Sequence, residues 1–157
     1  MSSALNRQVQ KALAATLKLH GFLKDGPTWR HPYPDTITVL NLQGSQWGPS
    51  FYLNLGVYFR ALGTDDKPLE HRCHIRIRIC DVVPEQGRLR QLLDFEQPMA
   101  DSVRFGELEQ LVSSTAVPWL ERVSTLKGAR EYLLAPAPRM PLVSASARHL
   151  LDVPSGV

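Results

Sequence analysis

A chain of 157 residues, 43% hydrophobic and 21% charged, has the composition of one globular domain that can bury its own core. Its formal net charge of +3 falls short of the dense cationic surface of a nucleic-acid-binding protein, and two cysteines are too few for a disulfide scaffold. The start of the chain shows no secretory signal pattern, and no stretch reaches the ~18 apolar residues of a membrane span. We therefore expect a cytoplasmic protein with both cysteines reduced.

The first predicted element is a helix. Apolar residues recur every four positions near the start of the chain, at Leu5, Val9, Leu13 and Leu17. This spacing places them on one stripe of an α-helix. Gly21 followed by Phe22 is typical of a helix that ends on a left-handed glycine. The sequence predicts a helix over residues 3–20.

Four strands are predicted next, over residues 27–30, 36–43, 51–60 and 73–80. The third alternates most clearly, with one apolar side made of Phe51, Leu53, Leu55, Val57 and Phe59. In the second, the apolar residues Ile37, Val39, Leu40 and Leu42 change parity midway, which indicates either a bulge or burial on both faces. The links between successive strands are short, so we expect an antiparallel meander.

The second half of the chain returns to helical spacing. Residues 81–100 allow a short strand or a strap over the core, and a helical period follows from Asp101, with Pro118 kinking or splitting the helix. A further helix is expected up to about Leu134. We predict a single α+β domain over residues 1–135, with the N-terminal and C-terminal helices packed on one face of the sheet. Residues 136–157 are expected to form a proline-rich linker and a weakly helical tail.

Several short motifs occur in a characteristic order: Leu19-His20-Gly21-Phe22, Asn41-Leu42-Gln43, the run from Phe51 to Tyr58, and Pro68 followed by Cys73-His74-Ile75-Arg76. In order and spacing they resemble the bacterial family called domain of unknown function 4304. The resemblance covers roughly residues 9–134 and is strongest from Val39 to Arg78. Because the name of that family assigns no activity, the resemblance implies no catalytic residues for this chain.

The best candidate for a functional surface is the polar side of the third and fourth predicted strands. Its members alternate with the apolar residues of those strands: Tyr52, Asn54, Tyr58, His74, Arg76 and Arg78. Arginine beside tyrosine is typical of protein interface anchors, and also of sites that bind anions or stack on bases. The alternatives are a solvated sheet face, or a face covered by the segment of residues 89–95.

Other constellations are weaker. The set of His71, Cys73, His74 and Cys80 contains no Cys-x-x-Cys knuckle, and Cys73 is predicted to lie with the isoleucines of its strand in the core. The adjacent carboxylates Asp65 and Asp66 are typical of a solvated turn. The motifs of a nucleophile elbow and of phosphate-binding loops are missing from the sequence. We therefore predict no catalytic residue, no metal site and no cofactor.

The sequence favours a small binding protein that holds a protein partner on this polar face; an immunity or toxin-neutralising role is one such function. The alternative is an enzyme acting on an anionic substrate, with Arg76 and Arg78 holding the anion and His74 as general acid or base. A nucleic-acid partner is disfavoured because lysine is sparse, and no membrane partner is expected. The oligomeric state stays open.

Overall fold

The computed structural model describes residues 3–136 and 139–154 of the chain. Within these residues the helices are α1 (Ser3–Leu19), α2 (Gln86–Leu93), α3 (Asp101–Leu111), α4 (Val117–Arg122), α5 (Leu126–Leu134) and α6 (Ala145–Leu151). The strands are β1 (Leu23–Asp25), β2 (Thr28–Pro32), β3 (Thr36–Gly44), β4 (Phe51–Phe59), β5 (Ile75–Arg78) and β6 (Leu142–Val143). The predicted α+β class is confirmed. Across these ranges no helix combines the length and the apolarity that crossing a membrane requires.

The strands follow one another across a single sheet in chain order, and every pair of neighbours is antiparallel. The four predicted strands correspond to β2–β5, so the predicted count of about four is corrected to six within the described ranges. The additional strands are the edge strands β1 and β6, with three and two residues. Strands this short carry almost no alternation, which explains why the sequence does not reveal them.

Strand β3 is buried on both faces of the sheet. Its register with β4 is continuous along its whole length, which rules out a bulge and leaves the second of the two predicted alternatives. Leu40 and Leu42 lie on the face that packs against the helices, called here the helix-covered face. Ile37 and Val39 lie on the opposite face, in a separate small apolar cluster. This opposite face, which also contains the side chains of Asn54 and Arg78, is called the uncovered face.

The helix layer closes the main core. Val9, Leu13 and Leu17 are buried, which confirms the stripe predicted for α1. Helix α3 continues through one π-helical turn, Val112–Ala116, into α4. The N–H of Val117 at the end of that turn donates to the carbonyl of Val112, and the next residue is Pro118, which has no N–H to donate. The helix is therefore interrupted where the proline predicts it.

The segment between β5 and α3 forms a helix, α2, rather than a strand. Leu89 and Leu92 of α2 are buried in the main core, and the ring of Phe95 packs edge-on against Phe51, with centroids 5.4 Å apart. Phe51 belongs to the helix-covered face, so this segment packs there and leaves the polar face open. Arg104 of α3, only 2% exposed, holds the end of α2 and the turn after it by donating to the carbonyls of Gln91, Leu92, Asp94 and Gln97.

Strand β5 is shorter than predicted, and Cys73 lies outside it on the other side of the sheet. A 3₁₀ turn, Glu70–Arg72, precedes Cys73, so the alternation of the strand does not extend back to this residue. Cys73 packs with Ile37, Val39 and Tyr58 on the uncovered face, beside Gly56, where no side chain blocks it. The prediction that Cys73 lies with the isoleucines is therefore wrong.

The chain beyond residue 135 joins the same fold. Strand β6 pairs with β5, opposing Val143 to Ile75 and Leu142 to Arg76. Helix α6 buries Ala147 and Leu151 in the main core. Residues 137–138 and 155–157 of the predicted linker and tail lie outside the described residues. The described part of this segment is thus a sixth strand and a sixth helix packed onto the domain.

Candidate functional site

The six predicted site residues divide between two ends of the uncovered face. Tyr52, Asn54 and Arg78 lie at one end, where Asn54 and Arg78 are directly opposed on β4 and β5. Arg76 follows them, opposite Gly56. Tyr58 and His74 lie at the other end, where residues 60–74 cross the sheet. We call the first the open end and the second the closed end.

At the closed end, Tyr58 is packed under a loop. It is 6% exposed, and its hydroxyl accepts a hydrogen bond from the backbone N–H of Asp65 at 3.1 Å. The rings of Tyr58 and His74 are tilted against each other, with centroids 4.7 Å apart. The predicted pairing of these two residues is present, but it forms part of the packing between loop and sheet.

His74 has a structural partner for its ring nitrogen. Its Nδ1 accepts a hydrogen bond from the backbone N–H of Phe59 at 2.9 Å, which requires an unprotonated nitrogen at that position. Burial lowers the pKa of His74 below its ordinary value. Both observations favour a neutral imidazole that carries its proton on Nε2. His74 does not line the clefts of the open end.

The cysteines and histidines near β5 do not form a metal centre. Within residues 3–136 and 139–154, no three residues of the metal-ligating types come together. Burial, with a smaller contribution from the negative charge of Glu70, raises the pKa of the Cys73 thiol, and burial also raises that of Cys80. Both cysteines are free thiols with depressed reactivity at neutral pH.

At the open end, a ladder of polar side chains crosses four strands. Asn41 donates to the hydroxyl of Thr28 at 3.0 Å, and Asn54 donates to Asn41 Oδ1 at 3.3 Å and to Gln43 Oε1 at 2.9 Å. The amide oxygen of Asn54 then accepts from Arg78 Nε at 3.3 Å. Each amide is thereby held in one orientation. Asn41 and Gln43 were not among the predicted site residues. Both stand at the parity opposite to Leu40 and Leu42, which is the sequence signal for their position on this face.

Arg78 ends this ladder and is held from two sides. Its guanidinium lies over the ring of Tyr52, 4.1 Å from the centroid, while its Nε is used by Asn54. The terminal nitrogens, Nη1 and Nη2, have no partner in the part of the chain that the structure describes. The side chain is exposed. Arg78 is therefore an oriented cation with a free edge.

Arg78 lies between two hollows in the surface. One is a cleft of about 450 Å³ between β4, β5 and the strand β6, and its lining includes Arg76, Arg139, Met140 and Leu142. The other, of about 350 Å³, lies under the loop between β3 and β4 and is lined by Gln43, Tyr52 and Trp47, among others. Both hollows share Arg78 and Gln43.

The other two arginines of the cleft have carboxylate partners. Arg76 forms a two-pronged pair with Glu70, with Nε–Oε1 and Nη2–Oε2 distances of 3.0 and 3.3 Å, and these hydrogen bonds raise the pKa of Arg76. Arg139 contacts Asp81 at 3.0 Å. Arg139 was missed because it lies in the segment predicted to be a linker.

The open end also carries large exposed apolar side chains. Trp47 is 88% exposed, Leu142 70% and Met140 48%. Trp47 stands in a loop that is held closed by the backbone bond from Ser45 N–H to Ser50 O and by the Ser45 hydroxyl, which accepts from the N–H of Trp47. A tryptophan in a loop of glycine, serine and proline was the sequence signal for this residue.

Comparison with known proteins gives a family and one distant relative. The model of the family described as Domain of unknown function (DUF4304) matches residues 13–122, a range that contains Trp47, Tyr52, Asn54 and Arg78. A stretch of 98 residues, 62% of the chain, is 30% identical to a protein named aspartate carbamoyltransferase catalytic subunit, from Leifsonia xyli subsp. xyli (strain CTCB07). The match covers 30% of the length of that relative. No solved structure matches the chain.

Proposed function

Since the chain belongs to the DUF4304 family, whose name assigns no activity, its function has to be argued from the site, and we propose that it is a small cytoplasmic bacterial binding protein. It holds a protein partner on the open end of the uncovered face. Four of the six residues suggested by the sequence, Tyr52, Asn54, Arg76 and Arg78, belong to this surface, and Trp47 and Gln43 extend it.

The observation that carries the proposal is the arrangement of Arg78, Tyr52 and Trp47. Tryptophan, tyrosine and arginine are the residue types that most often anchor protein interfaces. Here the tyrosine and the ladder fix the arginine in place, while the tryptophan projects into solvent beside it. Fixing a long side chain before binding reduces the entropy lost on association. The arrangement therefore fits a prepared binding surface better than a solvated sheet face.

Apolar side chains on the other side of Arg78 support the same function. Leu142 and Met140 are exposed at the rim of the cleft, opposite Trp47 across the arginine. Exposed apolar groups of this size, clustered around a polar centre, are typical of a surface that another protein covers. Leu142 lies on an edge strand of two residues, so the exposed edge itself offers little backbone to pair with.

The alternative function, an enzyme acting on an anionic substrate, loses its acid–base residue. His74 lies at the closed end with Nδ1 engaged by Phe59, and among the described residues the carboxylates that line the cleft, Glu70 and Asp81, are each paired with an arginine. Because these carboxylates neutralise two of the three arginines in the cleft, one uncompensated positive charge remains there, too few for the successive phosphates of a nucleic-acid backbone. Toxin neutralisation is the particular case of our proposal in which the captured protein is a toxin.

Photo-crosslinking tests this function directly. The photoreactive amino acid p-benzoylphenylalanine replaces Trp47 in one variant and Leu134 in a matched control, because Leu134 is also an exposed apolar residue but lies on α5 in the helix layer. After irradiation of cells of the source organism, we expect a discrete protein adduct from position 47 that is missing from position 134. The same adducts from both positions, or none from position 47, would refute the function.

A further inference from the structure

The arginines that lie on the sheet or in its cleft differ in how many of their donors are already used. Arg30 donates from Nε to the carbonyl of Pro68 and from Nη1 to Asp25. Arg76 uses Nε and Nη2 on Glu70, and Arg139 uses Nη1 on Asp81. Arg78 uses only Nε, on a neutral amide. Of these four it alone has no carboxylate partner among residues 3–136 and 139–154.

The free edge of Arg78 has the geometry of a carboxylate receptor. A guanidinium presents two parallel N–H groups along its Nη1–Nη2 edge, and a carboxylate accepts both at once. The stacking on Tyr52 sets the plane of this fork, and the bond to Asn54 sets its rotation within the plane. An acceptor arriving from either hollow thus meets a fork whose orientation is already fixed.

The charges around Arg78 agree with an anionic group. The cleft contains the arginines 76, 78 and 139 against two carboxylates, those of Glu70 and Asp81, so one positive charge is uncompensated there. Gln43 adds a neutral donor beside it: its Oε1 accepts from Asn54, and its Nε2 has no partner within the described ranges. Arg78 and Gln43 therefore both present unused donors to an arriving anion.

The size of the surface indicates a peptide rather than a free ion. Trp47 on one side and Met140 and Leu142 on the other extend the surface well beyond Arg78, and they offer apolar area that a small anion leaves exposed. An acidic side chain within a protein segment can bind Arg78 while its neighbours along the chain cover the exposed apolar side chains.

We infer that the partner seats the carboxylate of an Asp or Glu side chain on the Nη1–Nη2 edge of Arg78, with an apolar residue of the same segment against Trp47. This inference rests on the proposed function and adds the chemistry of the partner. Arg78 is the anchor that binds the carboxylate, while Tyr52 and Asn54 position the guanidinium of Arg78.

The test uses random twelve-residue peptides displayed on phage and selected against the full chain. Binding at the open end is recognised by a blue shift of tryptophan emission, because Trp47 is 88% exposed whereas Trp29 and Trp119 are buried. We expect Asp or Glu to be enriched among these peptides. Changing one such residue to Asn or Gln should weaken binding about tenfold or more, the size expected for an interface anchor.

Variants then assign that loss to Arg78. In Arg78→Ala the same peptide change should alter binding less than about twofold, because the carboxylate has lost its partner. Arg78→Lys keeps the charge without the fork and should bind at least about threefold more weakly than the wild type. Arg130→Ala, an exposed arginine on α5, should bind as the wild type does.

The outcomes separate the inference from the function. The inference is overturned if the selected peptides show no enrichment of Asp or Glu, or if the selection yields no peptide that binds at the open end. It is also overturned if the change of Asp to Asn, or of Glu to Gln, weakens binding equally to the wild type and to Arg78→Ala. The proposed function is judged separately, by the adduct formed at position 47.

Discussion

The two ends of the uncovered face start from the same sequence pattern and reach different states. Tyr52 and Tyr58 are both on β4 with the same parity, yet Tyr58 is buried and Tyr52 supports an exposed arginine. The difference is made by residues 60–74, which cross only one end of the sheet and are tied there by Arg30, through the carbonyl of Pro68. Strand parity therefore predicts which face of the sheet a residue occupies, whereas the position of a loop determines whether that face is exposed to solvent.

The largest effect is expected from removing residues 136–157, which tests whether the sheet that carries both ends needs its last strand. The deletion removes β6 and exposes the core positions that Leu151 and Ala147 fill. Lost burial of this extent corresponds to roughly 5 kcal/mol of unfolding free energy. The melting temperature should fall by more than about 10 °C. A truncated chain that melts like the full one would show that this segment is a dispensable tail.

Replacing each of the two tyrosines by alanine compares the ends directly. Tyr58→Ala empties a packed site and should cost about 3 kcal/mol, within the range measured for buried aromatic residues. Tyr52→Ala removes a half-buried ring and should cost less than about 1 kcal/mol. Urea unfolding of both variants gives the two values. Equal losses would mean that the open end is as tightly packed as the closed one.

Much of this fold could be predicted from the sequence because one face of each long helix or strand is apolar. The stripe of α1 and the alternation of β4 were predicted correctly, since periodicity records burial against the helix layer. Arg104 was not predicted to be buried, although it stands four residues before Leu108 on the buried side of α3. Two of its carbonyl partners, Asp94 and Gln97, come from the turn after α2, which has no periodicity. The sequence also did not predict strand β6, the exposed Trp47 or the crossing loop, as we call residues 60–74, and the reason is the same. Their positions depend on tertiary contacts.

Gly63 tests how closely the crossing loop approaches the sheet. Its backbone lies so near the hydroxyl of Tyr58 that a methyl group at this position would overlap the phenol oxygen and ring. Gly63→Ala should therefore destabilise the fold by about 1–3 kcal/mol, the usual cost of overpacking. Gly48→Ala is the matched control, because nothing lies near its added methyl group. Differential scanning calorimetry gives the melting temperatures of both variants. If they are indistinguishable, the loop is packed loosely enough to accept the methyl group.

The contribution of the closed end to the free energy of unfolding should also depend on pH. Burial lowers the pKa of His74 in the folded chain below its unfolded value of about 6.5, so protonation favours the unfolded state. The stabilising contribution is complete above pH 6.5 and is lost as the pH falls through the folded pKa. His74→Asn, which keeps an acceptor near the N–H of Phe59 but does not titrate, should flatten this part of the stability profile. An unchanged slope below pH 6.5 would contradict a partly buried, neutral His74.

The smallest effect on stability, and the most direct test of the account, is expected from Arg78. Arg78→Ala and its control Arg130→Ala are each combined with the photoreactive residue at position 47, and melting and adduct yield are measured together. Both variants should unfold within about 0.5 kcal/mol of the parent, because both side chains are exposed. The adduct should fall about tenfold in Arg78→Ala alone. An equal adduct yield from the two variants, or a loss of stability in Arg78→Ala, would contradict the claim that the open end is a binding surface anchored by this arginine.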